Sequence, residues 1–321
     1  MITICEHDWG DEVMNWEFIK KHRFIYNIGA MNVPIFIHFV LTDNCPLKCK
    51  QCYVSKSHCK DMNWEVFEER LGQAKDLGIP RIMLTGGEPL LYPYIVRAVK
   101  CINDLQMECI MATSGYGLTE KIAYDLAKAG LTKVYISLNG STAAIHNVSR
   151  SCYHMSVEAL KLFEANCILV GLNWVARHDN AYDFPTYIDY AKKNNITDVV
   201  VLSNKRNANG NLDSLLTIDD ISIIKKTMED NEGYITLDPC FSYKCRRALG
   251  LPLLFGHVCN AGRIFCDVLA DGSIISCRHA INHYDIHYVS LSDYWYQAAL
   301  KERNIARLWL QPCKANIWEV V

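Results

Sequence analysis

The central part of the chain alternates between two hydrophobic periods. Short apolar runs with strand character recur six times, and stretches with helical spacing separate them. The predicted strands cover residues 35–42, 81–87, 108–115, 133–140, 167–177 and 198–203. Strands that alternate with helices in this way predict a parallel α/β sheet, which right-handed crossovers curl into a partial (β/α)6 TIM-like barrel.

The helical stretch after the first strand has the clearest end signals. Its sequence is NWEVFEERLGQAKDLG, at residues 63–78. Asn63 is a suitable N-cap because its side chain can accept from the first free amides, and Gly78 is a suitable stop. We therefore predict a helix that begins just after Asn63 and ends just before Gly78.

The two ends of the chain do not follow this alternation. Residues 1–33 are too few to bury a core of their own, so they predict an N-terminal cap that packs on the barrel. The barrel is expected over residues 34–233. After Asp238 the alternation stops and cysteines return, which predicts a small C-terminal auxiliary domain over residues 234–321.

Charge and hydropathy narrow the classes of function. The 321 residues include 33 Lys and Arg against 35 Asp and Glu, for a net charge of −2, so no basic field favours nucleic acid. No apolar run reaches the ~18 residues that span a bilayer, so no membrane association is expected. The first residues lack the pattern of a signal peptide, which predicts a cytoplasmic location. Fifteen cysteines then favour cluster ligation over a disulfide scaffold.

Cys45, Cys49 and Cys52 form a dense group of possible metal ligands. They stand in the loop CPLKCKQC, directly after the first predicted strand, and chemistry in such barrels lies at the carboxyl ends of strands. Three thiolates bind three irons of an iron–sulfur cube and leave the fourth iron without a protein ligand. A zinc loop is the alternative, but zinc sites favour paired ligands and no second pair follows nearby.

The loop resembles the cluster motif of radical S-adenosylmethionine (radical SAM) enzymes. GGEP follows the second predicted strand directly and resembles another motif of that superfamily. The resemblance implies a [4Fe–4S] cluster whose open iron chelates SAM, and cleavage of SAM to methionine and a 5′-deoxyadenosyl radical. It assigns four residues to cofactor binding: Gly86, Gly87, Glu88 and Pro89. Glu88 would accept from the SAM ammonium, and the glycines would let the backbone approach a ligand.

Four further positions match SAM-contacting residues of the superfamily. Tyr53 resembles the aromatic residue whose backbone reads the adenine, and Arg150 resembles the arginine that pairs with the SAM carboxylate. Ser114 and Ser137 end the third and fourth predicted strands. The stretch ISLNG matches the superfamily's ISLDG except at Asn139, which leaves the role of the usual acid open. A purely structural role is the alternative for each of the four.

The second group of cysteines surrounds a predicted hairpin. The sequence CNAGRIFCDVLADGSIISC, at residues 259–277, predicts two strands joined by a turn at ADGS, so its end cysteines would lie close together. The segment resembles the SPASM and Twitch auxiliary domains, as do Ser290, Leu291 and Trp295 in SLSDYWYQAALK. The alternative is a domain rich in buried thiols.

The resemblance implies one auxiliary [4Fe–4S] cluster of the Twitch kind. Cys259, Cys277 and Cys313 match its ligand pattern. Cys240 is the fourth ligand expected, with Cys245 as its rival. A separate set of histidines recurs every fourth residue and is interpreted as a polar loop rather than a metal site. It comprises His279, His283 and His287.

The resemblance implies hydrogen-atom abstraction from a substrate carbon. Members with an auxiliary cluster mostly modify ribosomally made peptides, by thioether or carbon–carbon crosslinks or by epimerisation. We therefore expect a peptide-modifying oxidoreductase or maturase, with a precursor peptide as substrate and a flavodoxin or ferredoxin as electron donor. Cys266, which stands mid-strand, and Cys245 are the candidate hydrogen donors for epimerisation.

Two alternatives belong to other classes of function. A dehydrogenase of a small molecule, such as a sugar or aminocyclitol, would use the auxiliary cluster as an electron acceptor. An iron–sulfur sensor without enzymatic activity would predict a disrupted GGEP or barrel strand, and both are intact.

Overall fold

The computed structural model describes residues 32–54, 60–238, 240, 261–262, 264–278 and 290–298. All but the last two positions of the predicted N-terminal cap lie outside the described residues. Within those ranges, no helix has both the length and the apolar character needed to cross a membrane.

All six predicted barrel strands form, and neighbouring strands are parallel in chain order. They are β1 (Phe36–Val40), β2 (Arg81–Thr85), β3 (Glu108–Thr113), β4 (Lys133–Ser137), β5 (Leu169–Ala176) and β6 (Val199–Ser203). A seventh strand, β7 (Ile235–Leu237), adds to β6 in parallel. The prediction of a partial, TIM-like α/β barrel is therefore confirmed.

Helices connect the strands in the expected order. They are α1 (Trp64–Asp76), α2 (Ile95–Asp104), α3 (Glu120–Ala129), α4 (Ala143–Ser149), α5 (Tyr153–Ala165), α6 (His178–Ala181), α7 (Phe184–Lys193) and α8 (Ile218–Glu229). The end signals of α1 are confirmed. Asn63 accepts from the amides of Glu65 and Val66, and Gly78 has a positive φ of 73° just after the helix.

The core lies between the sheet and these helices. Trp174 of β5 is fully buried and stacks on Phe184 of α7, with ring centroids 4.3 Å apart. Phe39 of β1 meets Phe67 of α1 edge to face. Helices cover the outside of a parallel sheet and side chains fill its inside, which explains why the strands are almost continuously apolar.

The predicted C-terminal hairpin forms, and it joins the barrel sheet. Strands β8 (Phe265–Val268) and β9 (Ile274–Ile275) are antiparallel, with Gly272 at positive φ in the turn. Strand β8 pairs in parallel with β1, so the nine strands share one sheet in the order β7-β6-β5-β4-β3-β2-β1-β8-β9. A short helix, α9 (Leu291–Asp293), packs on α1, where the amide of Leu291 donates to Gln73 Oε1 at 3.0 Å.

The loops that follow β1 and β2 lie in direct backbone contact. The amide of Gly87 donates to the carbonyl of Thr42 at 2.6 Å, and the amide of Glu88 donates to the carbonyl of Asn44 at 2.8 Å. A Cβ at Gly87 would stand 2.4 Å from the Asn44 carbonyl oxygen, and real Cβ atoms do not approach backbone so closely. Glycine is therefore required at position 87 by the chain itself.

This contact predicts opposite effects for two Gly→Ala substitutions. Gly87→Ala pushes the loop after β1 away from β2 and should lower the free energy of unfolding by about 1–3 kcal/mol. Gly72→Ala is the control, because a Cβ at this position in α1 meets nothing within 4 Å and alanine favours the helix by about 1 kcal/mol. Urea unfolding of both variants measures the difference, and equal stabilities would contradict the close contact at Gly87.

Candidate functional site

The three cysteines of the predicted cluster loop follow β1 and are partly exposed. The amide of Cys52 donates to the carbonyl of Cys49 at 3.2 Å, so the loop turns tightly between these two thiols. Asp61 holds the start of the loop, since it accepts from the Thr42 hydroxyl at 2.5 Å and from Asn44 Nδ2 at 3.0 Å. The cysteines thus stand on a loop whose base is tied to the chain before α1.

The donor set of this loop fits an iron–sulfur cluster. In the described part of the chain, no three His, Cys, Asp or Glu side chains converge on a point where one metal ion would sit. A cube does not need such convergence, because each thiolate binds its own iron. Three thiols on one short loop are also the soft ligands that iron–sulfur clusters take. Cys45, Cys49 and Cys52 could therefore hold a cube between them.

Arg150, which the sequence predicts to bind the SAM carboxylate, stands next to this loop. It follows α4, and its Nη1 lies 3.9 Å from the sulfur of Cys49. The preceding residue, Ser149, accepts from the amide of Lys50 at 2.9 Å and so fixes the end of α4 against the loop. A guanidinium here stabilises negative charge on the thiolates and on any anion bound beside them.

Glu88 of GGEP is buried and fully hydrogen-bonded. Its carboxylate accepts from the amide of Leu90, the hydroxyl of Thr113, and both the amide and the hydroxyl of Ser114. Burial raises the pKa of Glu88, and these four donors oppose that shift. The glutamate therefore joins the end of β2 to the end of β3. A SAM ammonium at Glu88 would have to share an oxygen with one of these donors.

The other predicted SAM-binding residues lie around the same mouth of the barrel. Pro89 is buried and opens a short 3-10 turn for which Glu88 is the N-cap. Ser114 follows β3, and its carbonyl accepts from Ser156 of α5. Ser137 is the last residue of β4 and is half-buried. Tyr53 follows the last cysteine of the loop and is 38% exposed.

A loop after β6 reaches across the mouth and binds the cysteine loop. The amide of Ala208 donates to the carbonyl of Cys52 at 2.9 Å, and Asn207 Nδ2 donates to the carbonyl of Lys50 at 3.0 Å. Asn207 Oδ1 also accepts from the amides of Asn209 and Asn211, which gives the loop its shape. Sequence reasoning missed Asn207. The run NANGN predicts a turn, but its partner is 157 positions away along the chain.

Two of the predicted auxiliary ligands lie around one lysine. Lys205 forms an ion pair with Asp238 at 3.1 Å, and the other oxygen of Asp238 accepts from the amide of Cys240. Burial acts to lower the pKa of Lys205, but the negative charges of Asp238, Cys240, Cys277 and Tyr53 together outweigh it and hold the pKa well above its usual range. The thiols of Cys240 and Cys277 act in the same direction as Asp238, so both lie near this ammonium. Lys205 carries no sequence signal for this role.

Arg278 connects the hairpin to the cysteine loop. Its amide donates to Asp267 of β8, and its guanidinium contacts Asp43 at 3.4 Å and the carbonyl of Gly86 at 3.5 Å. The guanidinium also lies 5.5 Å from the ring centroid of Tyr53. Since Arg278 follows Cys277 directly, this predicted auxiliary ligand stands close to the mouth of the barrel. Sequence reasoning missed this contact as well.

The remaining predicted residues are buried or lie outside the described residues. Cys266, a candidate hydrogen donor, is fully buried on β8 opposite Ile37 of β1. The ligand candidates outside the described residues are Cys245, Cys259 and Cys313. The same holds for the three histidines of the predicted polar loop, His279, His283 and His287.

Comparison with solved structures shows a shared fold. Streptococcus suis SuiB bound to precursor peptide SuiA aligns with 16% identity and a TM-score of 0.73, over 88% of this chain and 68% of that chain. Native anSMEcpe with bound AdoMet aligns with 18% identity and a TM-score of 0.62, over 85% of this chain and 82% of that chain. Methylornithine synthase (PylB) aligns with 11% identity and a TM-score of 0.56, over 85% of this chain and 82% of that chain.

The family assignment comes from the sequence of the barrel itself. The sequence model of the Radical SAM superfamily matches residues 39–204, from β1 with its cysteine loop to the end of β6. This match spans more than half of the 321 residues. The chain therefore belongs to the Radical SAM superfamily.

Proposed function

We propose that this radical SAM enzyme holds its [4Fe–4S] cluster on Cys45, Cys49 and Cys52 and abstracts a hydrogen atom from a carbon of a ribosomally made peptide. The observation that carries the proposal is the way the chain holds the cysteine loop. The loops after β2 and β6 and the last residue of α4 each hydrogen-bond to the segment from Thr42 to Cys52. A cluster that must stay aligned with SAM and a substrate needs such a rigid support.

The residues around the mouth supply the contacts that SAM requires. Arg150, next to Cys49, would bind the SAM carboxylate in a charge-assisted pair. Glu88 and the backbone of Gly86 and Gly87 would accept from the ammonium, and the backbone of Tyr53 would contact the adenine. The other three proposed contacts are Pro89, Ser114 and Ser137.

The cofactor carries the difficult step, and the protein positions the reactants. A cluster held by Cys45, Cys49 and Cys52 would pass one electron from a flavodoxin or ferredoxin to SAM, whose cleavage would give methionine and a 5′-deoxyadenosyl radical. Hydrogen abstraction then leaves an odd electron on the substrate carbon. Loss of that electron and a proton gives an oxidised product, whereas transfer of a hydrogen atom from a thiol gives an epimer.

A second cluster would accept the electron of the substrate radical. We assign its ligands to Cys240, Cys259, Cys277 and Cys313, with Cys245 as the alternative to Cys240, in an auxiliary domain over residues 234–321. The support comes from Lys205. It forms an ion pair with Asp238, which accepts from the amide of Cys240, and the charges of Cys240 and Cys277 both act to raise the pKa of its ammonium. A buried cation beside two thiolates lowers the cost of their negative charge.

The peptide substrate is supported by the structural neighbours. SuiB was crystallised with a precursor peptide, and anSMEcpe was crystallised with the Cp18Cys peptide. The barrel mouth of this chain has Tyr53 exposed between the cysteine loop and Arg278, so a peptide carbon could approach from this side. Oxidation of the peptide through the auxiliary cluster is the outcome we expect, because the candidate hydrogen donor Cys266 is fully buried in the apolar core.

The assignment of the SAM-binding cluster predicts iron content. Anaerobic reconstitution should give about eight irons per chain, from two cubes. Replacing Cys45, Cys49 and Cys52 with Ala should halve the iron and abolish the formation of 5′-deoxyadenosine with dithionite. Replacing Cys101, Cys152 and Cys167 is the matched control and should preserve both. Continued formation of 5′-deoxyadenosine by the first variant would rule out this cluster site.

The auxiliary cluster predicts a separation of two activities. The variant with Cys259, Cys277 and Cys313 changed to Ala should hold about four irons. It should still cleave SAM slowly without substrate, because the first site is intact, but it should form no product. Full product turnover by a soluble, four-iron variant would remove the auxiliary site from the mechanism. Single Cys240→Ala and Cys245→Ala variants decide the fourth ligand, since only one should lose iron.

The substrate is tested by mass spectrometry of candidate peptides in deuterated water. We expect the product to be lighter by two hydrogen atoms, as in a crosslink or a dehydrogenated residue. Replacement of one hydrogen by deuterium at the modified carbon would instead indicate epimerisation, and Cys245→Ala and Cys266→Ala would then be tested as losses of the donor. If a sugar or another polyol is oxidised while no peptide changes, the peptide proposal is wrong.

A further inference from the structure

Two side-chain amides connect β5 to the cysteine loop, and the connection ends on Arg150. Gln51 stands inside the loop, between Cys49 and Cys52, yet it is only 7% exposed. Asn139, which follows β4 in place of the acid of ISLDG, is fully buried. A buried side-chain amide destabilises the fold unless its polar atoms have hydrogen-bond partners.

The orientation of Asn139 is set by backbone groups. Its Oδ1 accepts from the amide of Val175 at 3.2 Å, so its Nδ2 must point the other way, toward Ser149 Oγ at 2.8 Å. The main chain of Asn139 is held as well. Its amide donates to His146 Nδ1 at 3.1 Å, and its carbonyl accepts from Asn180 Nδ2 at 3.0 Å. Asn139 therefore offers a donor, not an acceptor, to its neighbour in the cysteine loop.

This donor fixes the orientation of Gln51. The Gln51 amide satisfies all its partners when Oε1 accepts from Asn139 Nδ2 at 3.0 Å and Nε2 donates to the carbonyl of Ser149 at 2.8 Å. In that orientation Oε1 also accepts from Arg150 Nε at 3.2 Å. Arg150 is thus held at Nε while its Nη1 lies 3.9 Å from Cys49.

We propose that Gln51 and Asn139 are positioning residues that aim the Arg150 guanidinium at the carboxylate of SAM. The proposal rests on the proposed function, because it takes Arg150 as the carboxylate-binding residue. It also accounts for Asn139. An aspartate there would offer only acceptors, so Gln51 would turn its Nε2 toward position 139. Gln51 would then present a donor to Arg150 Nε and an acceptor to the Ser149 carbonyl, and both contacts would be lost.

Binding of SAM to the reconstituted holoenzyme tests this role. Gln51→Leu and Asn139→Asp should each raise the Kd of SAM about tenfold in equilibrium dialysis, equivalent to about 1.4 kcal/mol of binding free energy. 5′-Methylthioadenosine lacks the carboxylate, so its affinity should change less than about twofold, and the iron content should stay the same. Gln51→Glu keeps the acceptor for Arg150 and should bind SAM within about twofold of the unchanged protein.

A second set of variants tests the route through Arg150. Arg150→Met should weaken SAM binding by at least as much as Gln51→Leu. The double variant with both substitutions should bind SAM no more weakly than Arg150→Met alone. Gln73→Leu, which removes a half-buried amide on α1, is the control and should leave SAM binding unchanged.

Three results would overturn the positioning role. They are additive losses in the double variant, equal losses for SAM and methylthioadenosine, and an unchanged SAM affinity in Asn139→Asp. Each of them leaves the proposed function standing if the unchanged enzyme still forms 5′-deoxyadenosine. Absence of that product in the unchanged enzyme would instead refute the proposed function.

Discussion

The structure depends on backbone hydrogen bonds that hold one loop from three sides. The loop from Thr42 to Cys52 buries Thr42, Leu47 and Gln51 but leaves its three cysteines partly exposed, so burial stabilises only part of it. The chain also donates to its carbonyls from Gly87, Glu88 and Ala208, and accepts from Lys50 at Ser149. A backbone bond contributes only about 0.5–1.5 kcal/mol, but several bonds from separate elements restrict the loop far more than one could. The curvature of the sheet is what brings β6 and β1 close enough for this.

Positively charged side chains lie next to the cysteines of the proposed cluster sites. Arg150 lies beside Cys49, Lys205 lies near Cys240 and Cys277, and Arg278 contacts Asp43. Lys205 and Arg278 are each paired with a carboxylate, so their positions are defined before any anion binds. This arrangement avoids the cost of an unpaired buried charge and keeps the electrostatics of the site preorganised.

The hairpin β8–β9 gives Cys277 and Arg278 a defined position beside β1. Because β8 pairs with β1, Cys277 and Arg278 follow directly from a strand of the same sheet that carries the cysteine loop. His38 of β1 and the amide of Arg278 both bind Asp267 of β8, at 2.7 Å and 2.9 Å. The position of Cys277 relative to the cysteine loop is therefore set by strand pairing rather than by a linker.

The sequence by itself determined the fold class, the order of the six barrel strands, the caps of α1 and the place of the cysteine loop after β1. These features depend on local spacing and on the rule that parallel strands end at one edge of a sheet, so periodicity alone predicts them. The sequence also singled out the glycines of GGEP, as positions where the backbone could approach a ligand. In the structure the group closest to a Cβ at Gly87 is the carbonyl of Asn44.

Only the tertiary structure decided which residues support the site. Gln51, Asn207, Lys205 and Arg278 have ordinary local contexts, and each is defined by a partner far away in the chain, as Asn207 is by Lys50. Strand β8 could also have formed in an independent domain, but it pairs with β1 and stacks Phe265 on Phe36. Such contacts depend on how the sheet curls and on which donors meet which acceptors. Neither is encoded in local spacing, because hydrogen bonds form between groups that folding brings together.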